Sequence, residues 1–166
     1  MLKEIEIRQS IRKYKNIPVT NEQIETLLKA AMNAPTAKNA QTWRFMVIKN
    51  RDILDKIADL SPYMKMMKTA PCAIMVLGDM KKATRIEYLY YDASAAIENM
   101  LIEACHLGLG SCWCAIGPNE ERVELFKKEF NIEESLYPVS VVSFGISDEE
   151  KPLIDRYDPE KVVYLD

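Results

Sequence analysis

Glycine is scarce in this chain, with five among 166 residues. Gly78, Gly108, Gly110, Gly117 and Gly145 form neither a G-x-G-x-x-G fingerprint nor a P-loop, so both standard glycine-rich phosphate cradles are excluded. Histidine is scarcer still. His106 stands alone, and Cys112 and Cys114 lack the two-residue gap and second ligand pair of a structural zinc site, so no metal site is expected. No suitably placed nucleophile accompanies His106 for a triad. Its position three residues after Glu103 predicts a Glu–His hydrogen bond at the edge of the core. No apolar run approaches the roughly 20 residues that span a bilayer, and the opening MLKEIEIRQS lacks the apolar core of a signal peptide. An excess of basic charge is also missing: the formal net charge is −3, which argues against nucleic acid as a partner. The four cysteines are few and lie in apolar contexts, which reads as buried reduced thiols in a cytoplasmic protein.

What is present is a globular composition, 48% hydrophobic and 28% charged. It supports a single domain over 1–166 with a full core. Residues 2–8 suit a short leading helix. In VTNEQIETLLKAAMNAP, Thr20 and Gln23 make a capping box. Ile24, Leu27, Leu28 and Ala31 form one apolar stripe, and Pro35 closes the helix. The polar loop TAKNAQT leads into a strand at 43–49, and Asn50 caps a helix over 51–60. A short helical piece, PYMKMMKTA, precedes a strand at 72–79. Residues 86–107 are apolar on nearly every side, which predicts a long helix through the middle of the molecule. Gly-Leu-Gly at 108–110 ends it. Strands at 111–116 and 137–146 flank a helix capped by Asn119. The charged tail from about 148 to 166 contains an isolated apolar KVVYL, expected to dock, on a partner subunit for choice. Helices and strands mixed in this order give an α/β or α+β sandwich.

Three stretches carry chemistry. IRQSIRKYKN places Arg8, Ser10 and Arg12 on one side of an extended segment. Two guanidiniums and a hydroxyl suit a phosphate dianion, because charge-assisted forked bonds are strong and geometrically selective. Taken alone, the stretch equally fits a solvated basic turn. APTAKNAQTWRF follows the first strong helix, and AAIENMLIEACHLGLGSCWCAIG covers the apolar helix and the strand after it.

In that order the three stretches resemble the nitroreductase family of FMN-dependent oxidoreductases, over nearly the whole chain. The resemblance implies an α+β (α/β sandwich) fold. Its mixed, mainly antiparallel central sheet would be flanked by helices, with the long central helix buried at a dimer interface. It also implies that Arg8, Ser10 and Arg12 hold the FMN phosphate and ribityl chain, with Gln9 adjacent. Pro35, Thr36, Ala37 and Asn39, with Gln41 nearby, would reach the flavin across that interface. Cys114, Ala115 and Ile116 fall where backbone meets the isoalloxazine ring, and Arg156 matches an arginine that closes on the phosphate. Thr36 and Thr42 stand where the family motif has serine and proline. Tyr63 stands where many members have an asparagine. Between VLGDMKKATR and YLYYDASAA there is little room for the insertion that covers the pocket of larger members.

The activity implied is transfer of hydride from NADH or NADPH through flavin N5 to an oxidised small-molecule acceptor, of nitroaromatic or quinone type, by a ping-pong cycle. The cofactor carries that chemistry, so no catalytic side chain is assigned. The implied assembly is a homodimer with shared active sites and no nucleic-acid or membrane partner. The alternatives are a specialised reductive dehalogenase or flavin reductase, or a flavin-binding protein without turnover.

Overall fold

Short polar side chains start most of the helices. In the computed structural model, which describes residues 1–165, α1 (Lys3–Ile7) is a single turn and α2 (Asn21–Met32) begins at the expected capping box. Thr20 Oγ1 accepts from the Gln23 amide and Gln23 Oε1 from the Thr20 amide, so two otherwise unpaired donors are satisfied reciprocally. Asn50 caps α3 (Arg51–Leu60) by accepting from the Ile53 amide, and Asn119 caps α5 (Glu120–Phe130) by accepting from the Arg122 amide. The central helix α4 (Ile86–His106) ends with Gly108 in the left-handed region at φ 73°. The strands are β1 (Trp43–Ile48), β2 (Cys72–Asp79), β3 (Gly110–Ala115) and β4 (Leu136–Gly145).

These strands form one sheet in the order β1-β2-β4-β3. Its three ladders are all antiparallel, in keeping with the mainly antiparallel sheet expected from the sequence. The parallel contribution is a single bridge between Ser10 and Ser111, because the segment after α1 only skirts the free edge of β3. All eight residues of β2 are buried. Its Cys72, Ile74 and Val76 face α2 and α4, whereas Ala73, Met75 and Leu77 face α3 and α5. That alternation gives the sandwich two cores, one on each face of the sheet.

The piece at Pro62–Lys68 is a 3-10 helix started by Ser61, whose hydroxyl accepts from the Tyr63 amide at 3.3 Å. Arg51 clamps it by donating to the carbonyls of Met67 and Ala70. His106 bonds Glu4 at 3.1 Å, not Glu103, because the end of α4 meets α1 there. α4 is also less enclosed than its composition predicts. Leu89, Ala93, Ala96, Ile97, Met100 and Ala104 are buried, but Tyr88 and Tyr91 on its other side are exposed. Among the described residues the KVVYL segment is exposed, Val163 and Tyr164 at 80% each. Its last neighbour, residue 166, lies outside the described residues.

Gly78 marks the closest approach of sheet to helix. A Cβ there would lie 2.2 Å from a Leu89 side-chain carbon. Leu89 is fully buried and has nowhere to retreat. Gly78→Ala is therefore expected to destabilise the fold by about 1–3 kcal/mol through overpacking. In urea unfolding, the Gly78→Ala/Leu89→Ala double variant should lose less than the two single losses added together, and strict additivity would refute the contact.

Candidate functional site

The segment after α1 runs extended along β3, held by backbone and by two buried side chains. The Ile11 amide donates to Ser111 O at 2.9 Å, and the Lys15 amide to Ile146 O at 2.9 Å. Ile11 and Tyr14 point into the core, where the Tyr14 hydroxyl meets Ser143 Oγ at 2.7 Å. Alternation about the inward Ile11 turns its neighbours Ser10 and Arg12 the other way, with Arg8 two residues before. They line a cavity of about 940 Å³ together with Gln9, Lys151 and Arg156. The chain's C-terminal segment closes this space. Gln9 Nε2 donates to Pro152 O at 2.9 Å, and Lys151 Nζ donates to Ser10 O at 2.5 Å. The Arg12 amide donates to Glu149, which also pairs with Lys151 at 3.3 Å. That backbone bond, more than Lys151, holds the Glu149 carboxyl below its ordinary range.

Four cations thus converge from residues 8–12 and 151–156. Arg8 lies 3.7 Å from Glu98. The guanidiniums of Arg12 and Arg156 carry no ion pair among the described residues, whose pairs involve Arg8, Arg44 and Arg51 alone of the arginines. Lys151 had no signal in the sequence: it sits in a run of charges, and only folding brings it against Ser10.

At the end of β3, Cys114 and Ile116 are buried and Ala115 is exposed. The amides of Ile116 and Gly117 both donate to Val139 O, at 2.9 and 3.2 Å. They are already committed. The alternation of the strand puts the backbone of Ala115 on the free edge, where its carbonyl accepts from Arg122 at 2.9 Å. Tyr63 stands beside this edge: its carbonyl lies 3.6 Å from Cys114 Sγ, and its side chain is 72% exposed. Cys112 and Cys114 are free thiols on one face, as strand spacing requires. The neighbouring Cys114 thiol, aided by the charges of Arg12 and Lys151, lowers the Cys112 thiol to about 7, while Cys112 and burial raise Cys114.

The loop between α2 and β1 lies apart from the cavity, and Pro35, Thr36, Ala37, Asn39 and Gln41 contribute nothing to its lining. Lys38, Asn39 and Gln41 are left-handed, with φ of 55°, 54° and 49°. Each such non-glycine residue costs on the order of 1–2 kcal/mol. Bonds within the loop shape it: the Asn39 amide to Thr36 O at 3.0 Å, the Ala40 amide to Ala37 O at 3.1 Å, the Gln41 amide to Thr36 Oγ1 at 3.1 Å and Gln41 Nε2 to Asn39 Oδ1 at 3.3 Å. Asp92 on α4 fastens it from outside, accepting from the Ala37 amide at 2.8 Å and from the Thr42 hydroxyl at 3.2 Å. The reading of the sequence passed over Asp92. An acid in the apolar run YYDASAAI was the signal available.

The nitroreductase family model matches this chain over residues 5–62 and 60–146. The chain belongs to the nitroreductase family. An archaeal relative from Archaeoglobus fulgidus, provisionally named an NADH dehydrogenase/NAD(P)H nitroreductase, is 39% identical over 97% of this chain and 95% of its own. Among solved structures, a provisionally named NADH oxidase from Clostridium acetobutylicum superposes with a TM-score of 0.93 at 42% identity, covering 97% of this chain and 98% of its own. An FMN-dependent nitroreductase from Clostridium difficile superposes with a TM-score of 0.92 at 30% identity, covering 100% of this nitroreductase and 99% of its own chain. Of the described helices in this member, none is long and apolar enough to cross a membrane.

One thiolate is expected to appear with a midpoint of about 7 when the folded protein is titrated at 240 nm, and to be missing in Cys112→Ser. Because the folded value is depressed from 9.0, the associated stability is fully present only above the unfolded value and is lost as pH falls through about 7. The urea midpoint should accordingly rise between pH 7 and 9 in the parent, and rise less in Cys112→Ser.

Proposed function

We propose that this nitroreductase is an FMN-dependent oxidoreductase that uses NADH or NADPH to reduce a small oxidised acceptor of nitroaromatic or quinone type. The observation that carries this reading is the convergence of Arg8, Ser10, Arg12, Lys151 and Arg156 on one cavity. With Arg12 and Arg156 free of ion pairs, the cavity presents charge suited to a phosphate dianion, which guanidiniums bind bidentately. Its volume of about 940 Å³ also suits a ligand larger than phosphate alone, since cofactor sites span about 300–1,000 Å³.

The bound flavin supplies the two-electron chemistry, with NAD(P)H and acceptor occupying the same face in turn. The chain's residues bind and orient. Arg8, Arg12, Lys151 and Arg156 neutralise the phosphate, and Ser10 adds a hydroxyl. The free edge at Ala115, flanked by Cys114 and Ile116, offers a backbone amide to the ring. The exposed ring of Tyr63 lies at the mouth of that edge. The turn from Met80 to Arg85 joins β2 to α4 directly, so no inserted helix covers the site, which suits varied acceptors.

The 35–41 loop and the cation cavity are separate within one chain, so a C2 homodimer with shared sites is the assembly that unites them. Exposed Tyr88, Tyr91, Val163 and Tyr164 offer apolar surface for it. The cytoplasm suits its four free cysteines.

The visible spectrum of the purified protein, followed by heat release and identification of the chromophore, is the direct test. Stoichiometric FMN bleached by NADH or NADPH without oxygen is expected; a colourless protein that binds no added FMN would overturn the reading. Arg12→Ala and Arg156→Ala should each raise the FMN dissociation constant by about 10- to 100-fold, as loss of a charge-assisted bond of about 1.5–3 kcal/mol requires. Sedimentation on dilution should show flavin and turnover lost together with the dimer. A stable monomer that holds flavin and turns over would contradict shared sites.

A further inference from the structure

The left-handed loop at 35–41 needs an anchor. Three non-glycine residues with positive φ within four positions persist only where surrounding contacts over-determine them. The bonds from Thr36 are internal and leave the loop free to tilt as a unit. The bonds to Asp92 are not. One carboxylate oxygen accepts from the amide of Ala37 at the loop's start, at 2.8 Å, and the other from the hydroxyl of Thr42 at its end, at 3.2 Å.

Asp92 is 3% exposed, and its partners are an amide and a hydroxyl, neither of them a cation. A buried carboxylate without a counter-charge is costly, and it is retained where both oxygens are used. Its setting on α4 adds rigidity, because Ala93 and Ala96 beside it are packed into the core. Thr42 is itself 2% exposed, and its carbonyl accepts from the Asp79 amide at 2.7 Å, so the far end of the clamp is fixed as well. Where the family motif has proline, Thr42 supplies a hydroxyl that proline lacks.

We propose that Asp92 is a positioning residue for the flavin site. Its two oxygens set the shape in which Pro35, Thr36, Ala37, Asn39 and Gln41 meet the flavin held by a second copy of the chain. The proposal rests on the preceding reading that this loop meets FMN, and it assigns the residue that holds the loop ready. An asparagine at 92 would aim an amide group at one of two donors. The Thr42 hydroxyl can reverse and accept, so Asp92→Asn should weaken the clamp and Asp92→Ala should remove it.

Hydrogen exchange on the flavin-free protein reads the clamp without reference to cofactor. The amides from Ala37 to Gln41 should exchange at least tenfold faster in Asp92→Ala and Thr42→Val than in the parent, with Thr42→Ser close to the parent. Titration with FMN reads the consequence. The dissociation constant should rise about tenfold or more in Asp92→Ala and about three- to tenfold in Thr42→Val, with a displaced flavin absorption band, and serine should restore both. If Asp92→Ala fails to fold, the Thr42→Val and Thr42→Ser pair decides. Parent-like exchange in Thr42→Val overturns the proposal, as does faster exchange with FMN affinity and spectrum unchanged. A parent that takes up no FMN overturns the functional reading and this proposal together, whereas a parent that binds FMN leaves the variants to judge the proposal alone.

Discussion

Helix α4 is the constraint on which the rest of the structure depends. It meets α1, α2 and all four strands. Such breadth of contact requires a small-residue face, and Ala93, Ala96 and Ala104 provide it. Gly78 lets the helix come close enough for Leu89 to fill the gap. Because interiors are close-packed, this approach cannot be loosened in one place without being felt in others. The same helix carries Asp92 to the loop, Glu98 to Arg8 and His106 to Glu4. One element thereby sets the positions of groups far apart in sequence.

The cation cavity shows a different economy. Nothing like a glycine-rich loop is used, and the cavity is lined by two segments at opposite ends of the chain. The first is aligned by the edge of β3, and the second is laid over it by Gln9, Lys151 and Glu149. Glu149 keeps one lysine and one backbone amide in place while leaving the guanidiniums of Arg12 and Arg156 without carboxylate partners. An arginine so exposed contributes little to stability. The thiol pair on β3 sits beside that charge, but it is their mutual pairing that parts the two cysteines in acidity.

Much of the fold was legible in the sequence because local chemistry decides it. The caps at Thr20, Asn50 and Asn119, the left-handed Gly108 and the alternation of β2 all lie within a few residues of the features they cause. The places where reading by pattern fell short are those where a distant element intervenes. His106 turned to Glu4, not Glu103. Ile116 spent its amide on Val139, at the bulge where β2 and β4 lose register.

For the site, the sequence by itself determined which groups are available: two guanidiniums and a hydroxyl on one side of an extended run, a polar loop before β1, and a strand following an apolar helix. Side-chain alternation and residue chemistry are local, so they survive without knowledge of the fold. Tertiary structure alone decided that Lys151 joins Arg8, Arg12 and Arg156, and that Asp92 grips the loop at both ends. It also decided that the loop and the cavity stand apart within one chain. Those outcomes depend on contacts separated by 50 or more positions, such as Ala37 with Asp92 and Ser10 with Lys151. Closing such distances costs chain entropy that only the assembled core offsets.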